Sequence, residues 1–109
     1  MSAWKIEYHT PKVEKFALGL PDDLLANFLK LSDMMVQYGA NLGMPHTRAL
    51  GSGLFELRVS GDEGIARVFY CVRIAQRIVM LHGFIKKTQQ FPRAELNKAY
   101  RCLAEAKLK

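Results

Sequence analysis

Two neighbouring segments restrict the fold more than anything else in the chain. IARVFYCVR (residues 65–73) and RIVMLHGFI (residues 77–85) are apolar on both alternating faces and rich in β-branched residues. That pattern belongs to central strands covered on both sides. Gln76 lies near the turn that joins them.

The flanking sequence supplies partners for these strands. LFELRV alternates strictly, with Phe55, Leu57 and Val59 on one face and Glu56 and Arg58 on the other, and SGDEG after it has the Gly and Asp of a hairpin turn. At the N-terminus Trp4, Ile6 and Tyr8 alternate with Lys5 and Glu7, the period of a strand with one buried face. Thr10 and Pro11 suit the cap and first position of a short helix with Val13, Phe16 and Ala17 as its stripe. A second helix follows from Pro21, with Asp22 and Asp23 at its positive end and Leu24, Phe28, Leu31, Met35 and Tyr38 as its apolar face. Leu25, Leu29 and Met34 add apolar positions beyond that stripe.

From Ala40 to Gly53 periodicity vanishes among glycines, which predicts a loop. Pro92 opens a last helix that buries Leu96, Ala99, Tyr100 and Leu103 and leaves Arg93, Lys98 and Arg101 in solvent. The expected architecture is α+β: one small domain, residues 1–109, with an N-terminal strand, a helical hairpin, an antiparallel three-stranded meander and a C-terminal helix.

Charge points to a class of partner. Sixteen Lys and Arg against ten Asp and Glu give a net charge of +6, which favours a polyanion or an acidic protein. The segment from Lys86 onward holds seven basic and two acidic residues and so carries +5. Cys71 and Cys102 form no CxxC and suggest no disulfide framework. With no apolar run long enough for a membrane span and a charged WKIEY in place of a signal sequence, a cytoplasmic, membrane-free protein is expected.

Familiar catalytic patterns are missing. His9, His46 and His82 have no metal-ligand spacing, there is no glycine-rich phosphate loop or GxSxG elbow, and acidic residues are scarce between Leu54 and Gln90. Neither a metal nor a cofactor is expected. What remains is basic. Arg58 and Arg67 lie on strands joined by one turn and can point to one face, where a phosphate could bridge them. Lys86 and Lys87 end the last strand, and alternation allows only one of them to reach that face. Simpler roles fit the same residues: solvated arginines, a lysine pair that blocks edge pairing, and a hydrogen-bonded core histidine at His82.

GLFELRVSGDEGIARVFYCV followed by RIVMLHGFIKKTQQFPRAELNKA resembles the phage-derived, HigB-like branch of the RelE/ParE toxin superfamily, over about Trp4 to Leu103. The resemblance implies a RelE-like fold and a type II toxin that cuts mRNA on the ribosome. It implies a helix-turn-helix antitoxin as partner. It places catalysis on Arg58, Arg67 and Lys86 or Lys87, with His82 in addition; Arg73, Arg93 and Lys98 are the further basic residues expected to bind RNA. Such cleavage is metal-free, through attack of the substrate 2′-OH on the adjacent phosphorus. A ParE-like gyrase inhibitor or a prophage protein that binds RNA without cutting it would share the fold. Phe91 departs from the family pattern, in which Thr or Ser often precedes the proline. Because Phe is a poor cap, the helix is expected to begin as early as Thr88.

Overall fold

The computed structural model describes residues 3–62, 64–86 and 92–108. β3 (Leu54–Gly61), β4 (Gly64–Arg73) and β5 (Arg77–Lys86) form the expected antiparallel meander. β1 (Lys5–Tyr8) pairs in parallel with β5, Lys5 opposite Arg77 and Tyr8 opposite Met80. β2 (Thr47–Gly51) pairs antiparallel with β3, so the five strands run in the order β1-β5-β4-β3-β2.

β2 corrects the loop expected between Ala40 and Gly53. It is a five-residue edge strand with a register shift between Ala49 and Gly51, so its alternation is too short and too broken to stand out among glycines. Thr47 is its buried residue, and Arg48 beside it is exposed.

One side of the sheet carries two helices, α1 (Pro11–Leu18) and α2 (Asp22–Tyr38). Thr10 caps α1 by accepting a hydrogen bond from the Val13 N–H (3.3 Å). Val13, Ala17, Leu24, Phe28, Leu31 and Met35 pack on Leu57, Val59, Ala66, Val68, Tyr70, Ile78 and Met80. Gly83 lets α1 approach β5, because a Cβ there would occupy the space of the Phe16 ring. Tyr70 is fully buried, donates its hydroxyl to the Ala40 carbonyl (2.6 Å), and has its phenol pushed up to about 12 by burial.

Tyr38 does not join the stripe predicted for α2: it is 75 % exposed. The indole of Trp4 packs beside Gly39 at this end of the helix. Leu25 and Met34 lean on the core, leaving Leu29 as the solvent-facing member of the additional apolar positions.

The other side of the sheet is covered by α3 (Arg93–Lys107), whose Ala99, Leu103 and Ala106 pack on Leu54, Phe69, Cys71, Val79 and Leu81. Tyr100 ties α3 to β2 by donating its hydroxyl to the carbonyls of Leu50 (3.0 Å) and Gly51 (3.2 Å). The helix starts at Arg93 with Pro92 before it and no side-chain cap. Thr88, the alternative start, and Lys87 lie outside the described residues.

Candidate nucleic-acid interface

Register decides which side chains share a face. Arg58 of β3 stands directly opposite Arg67 of β4, Arg67 stands opposite Phe84 of β5, and Ile65 stands opposite Lys86. Opposed residues project to the same side. Arg58, Arg67, Phe84 and Lys86 therefore start from the α3 side of the sheet, toward the ends of the strands distant from the Arg73–Arg77 turn. Three of the expected basic positions, Arg58, Arg67 and Lys86, thus start from one side of the sheet.

His82 joins them through an irregularity. Phe69 pairs with His82 but Tyr70 pairs with Met80, so Leu81 is an extra residue in β5. Met80 faces α1 and α2, and simple alternation would have sent His82 the same way. The bulge turns it to the α3 side, where its ring stacks on Phe69 (centroids 6.3 Å apart, planes at 4°) and Phe69 stacks on Phe84 (5.9 Å). His82 Nε2 lies 2.8 Å from Glu95 Oε2 in the first turn of α3. Both side chains keep about a fifth of their surface in solvent, 20 % and 21 %.

Arg67 is not the solvent-facing arginine that the sequence suggested. It is 7 % exposed, and its Nη1 donates to Glu56 Oε2 over 2.7 Å. Glu56 is fully buried, with Arg48 Nη2 3.7 Å from its other oxygen. Alternation placed Glu56 on this face correctly but did not show that Arg67 would be covered and neutralised there. An apolar strand buries whatever charge it carries, and a buried charge needs a partner.

Arg58 has no ion-pair partner among the described residues. It lies where β3 runs past the end of β2, its N–H bonded to the His46 carbonyl (2.8 Å), and borders a cleft of about 380 Å³ with Asn27, Lys30, Met34, His46 and Ser60. Arg58 thus links the α3 side of the sheet to a basic edge beside α2.

The RNA-binding residues expected from sequence scatter. Arg93 is exposed at the start of α3, and Lys98, one turn later, lies 3.5 Å from Glu95. Both adjoin the His82 end of the face. Arg73 is at the opposite end of β4, opposite Arg77, and the six residue steps from Arg67 to it span about 20 Å of strand. It cannot act with the others on one nucleotide. Arg48, Glu56 and Glu95 are functional candidates that sequence reasoning missed. Glu56 could have been found from ELR, because it shares a face with Arg58 and sits diagonally across from Arg67; Arg48 was hidden in an unrecognised strand.

Among the described residues no helix is long and apolar enough to cross a membrane. No curated protein sequence matches the chain. The family model described as "Phage derived protein Gp49-like (DUF891)" matches residues 15–104, from the middle of α1 nearly to the end of α3 and through every element of the face just described. The chain therefore belongs to the Gp49-like family of phage-derived proteins, a type II toxin-like family.

Proposed function

We propose that this toxin-like protein is an endoribonuclease of the RelE/HigB kind, which cuts mRNA on the ribosome, in the cytoplasm, by metal-free attack of the substrate 2′-OH. The observation that carries this reading is the His82–Glu95 pair, turned by a bulge onto a face that also bears Arg58, Arg67 and Lys86. With Glu95 accepting the Nε2 proton, the basic lone pair of the ring is on the opposite nitrogen, Nδ1. His82 takes the proton of the 2′-OH as that oxygen attacks phosphorus. The bond to the 5′-oxygen breaks and that oxygen takes a proton from water, leaving a 2′,3′-cyclic phosphate and a 5′-hydroxyl end.

Charge builds on the phosphate oxygens during this step, and cations fixed beforehand stabilise it most. Arg58 and Lys86 take that part. Arg67, with much of its charge balanced by Glu56, holds the strands and the field in place. Phe84, next to Phe69 in the aromatic row, offers a ring for base stacking. Arg93 and Lys98 extend the basic surface for the RNA backbone, and the ribosome contributes the remaining orientation of the substrate.

The family resemblance further supports a co-encoded helix-turn-helix antitoxin. Leu29 on α2, 50 % exposed, offers an apolar contact for it away from the RNA face.

The buried Glu56–Arg67 pair favours a second reading: a protein that binds RNA and no longer cuts it, since an arginine neutralised internally stabilises a transition state weakly. Controlled expression with mapping of mRNA 5′ ends separates the two. Translation-dependent cuts, abolished by His82→Asn, support cleavage; intact mRNA with arrested translation supports binding alone. DNA damage signalling with intact mRNA would point instead to a gyrase inhibitor.

A further inference from the structure

His9, Cys102 and Glu105 meet where the end of β1 reaches α3, and we propose that they bind a divalent transition metal, Zn²⁺ by preference. Their donor atoms all lie within 4.8 Å of one another, and His9 Nε2 is 2.9 Å from Glu105 Oε1. Bonds of about 2.0–2.3 Å to a tetrahedral ion put donors roughly 3.3–3.8 Å apart. Small side-chain adjustments therefore close the three atoms around one ion.

The backbone holds these donors in place from two directions. The His9 N–H donates to the Met80 carbonyl (2.8 Å), and Thr10 immediately afterwards caps α1, so the imidazole is fixed between two elements. Its side chain is only 4 % exposed. Cys102 and Glu105 are three residues apart on α3 and so share a helix face. The sequence concealed the cluster because His9 and Glu105 are 96 residues apart.

The donor chemistry selects the ion. A thiolate with an imidazole and a carboxylate suits zinc and cobalt far better than magnesium or calcium, which take oxygen ligands. Thiolate and carboxylate together also balance the charge of a divalent ion. Three protein ligands leave one position open. Cys102 and Glu105 border a cleft of about 380 Å³ with Thr10, Lys12 and His82, which has room for a water there. Seven residue steps of α3, about 10 Å, separate Cys102 from Glu95. The metal would fasten the N-terminal strand to the helix that carries Glu95, a role independent of whether the protein cleaves RNA.

The test is a titration of the tag-free, reduced, full-length chain with Co²⁺, followed by optical absorption and then displacement with Zn²⁺. One cobalt per chain should bind with a thiolate-to-cobalt charge-transfer band that Zn²⁺ abolishes, and Zn²⁺ should raise the unfolding midpoint. Cys102→Ser should remove the band. Glu105→Gln, at a residue 56 % exposed and safe for folding, should weaken binding by more than about tenfold, since even outer partners of a ligand cost 10–100-fold. Absence of the band, its survival in Cys102→Ser, its loss in Cys71→Ser instead, or unchanged affinity in Glu105→Gln would overturn the assignment.

Discussion

Glu56 and Arg67 sit diagonally across β3 and β4 and close a 2.7 Å hydrogen-bonded ion pair inside the sheet, Glu56 with no exposed surface and Arg67 with 7 %. The pair decides how variants at these positions must be read.

Removing one partner of a buried pair strands the other charge, at about 3–5 kcal/mol. Arg67→Ala should accordingly lower stability by that amount in urea unfolding. Glu56→Leu combined with Arg67→Met should recover most of it, because neither charge then needs solvation. Loss of toxicity in Arg67→Ala is thus a folding effect first. An unchanged unfolding midpoint in Arg67→Ala would show that the pair contributes nothing.

His82→Asn should slow RNA cleavage by about 10²–10⁴, the usual contribution of a positioned acid or base. Glu95→Gln should do less, since it alters the tautomer and orientation of the ring without removing it. Quantified 5′ ends at a fixed time after induction measure both. Equal cleavage by His82→Asn and the native protein would take this residue out of the chemistry.

Arg58→Ala tests charge stabilisation without breaking a buried ion pair, because Arg58 is half-buried and has no ion-pair partner among the described residues. Cleavage should fall by about 10²–10³, with the unfolding midpoint almost unmoved. A large stability loss with cleavage per folded molecule unchanged would instead make Arg58 a structural residue of the β3 edge.

Glu7 gives a pH-dependent prediction. The hydrogen bonds from Arg77, 3.0–3.1 Å, hold its carboxyl below the ordinary value of 4.5, with burial opposing in part. A depressed folded pKa contributes stability above the unfolded value and loses it as pH falls through the folded one. Glu7→Gln should therefore lower Tm relative to the native chain at about pH 6, and the difference should shrink as the pH falls below the unfolded value. The effect is small for so exposed a pair. A difference that grows on acidification would contradict the assignment.

Much of the fold was readable because each element carries its own signal. The doubly apolar segments gave β4 and β5, Thr10 and Pro11 gave the start of α1, and the stripe from Leu24 to Met35 gave the buried face of α2. β2 was not readable, since a bulged edge strand of five residues has too few alternations to rise above its glycines. Tyr38 misled because helical spacing says which residues align, not where the core beneath them ends. For the site, strand parity found the face shared by Arg58 and Arg67 but not their unequal exposure. Parity also could not place His82, whose direction depends on one extra residue in β5. Nothing local to either residue links His82 with Glu95 or His9 with Cys102; those pairings arise only when α3 docks.

The central claim is that this face cleaves RNA by using the 2′-OH of the substrate. The most direct measurement is incubation of the purified protein with ribosomes programmed with a short mRNA, once with ribose throughout and once with a single 2′-deoxy residue at the cut position. Cleavage of the first to a 2′,3′-cyclic phosphate end, with no cut at the deoxy position of the second, is the predicted result. Equal cutting of both substrates would contradict the mechanism, and cutting of neither would contradict the enzymatic reading itself.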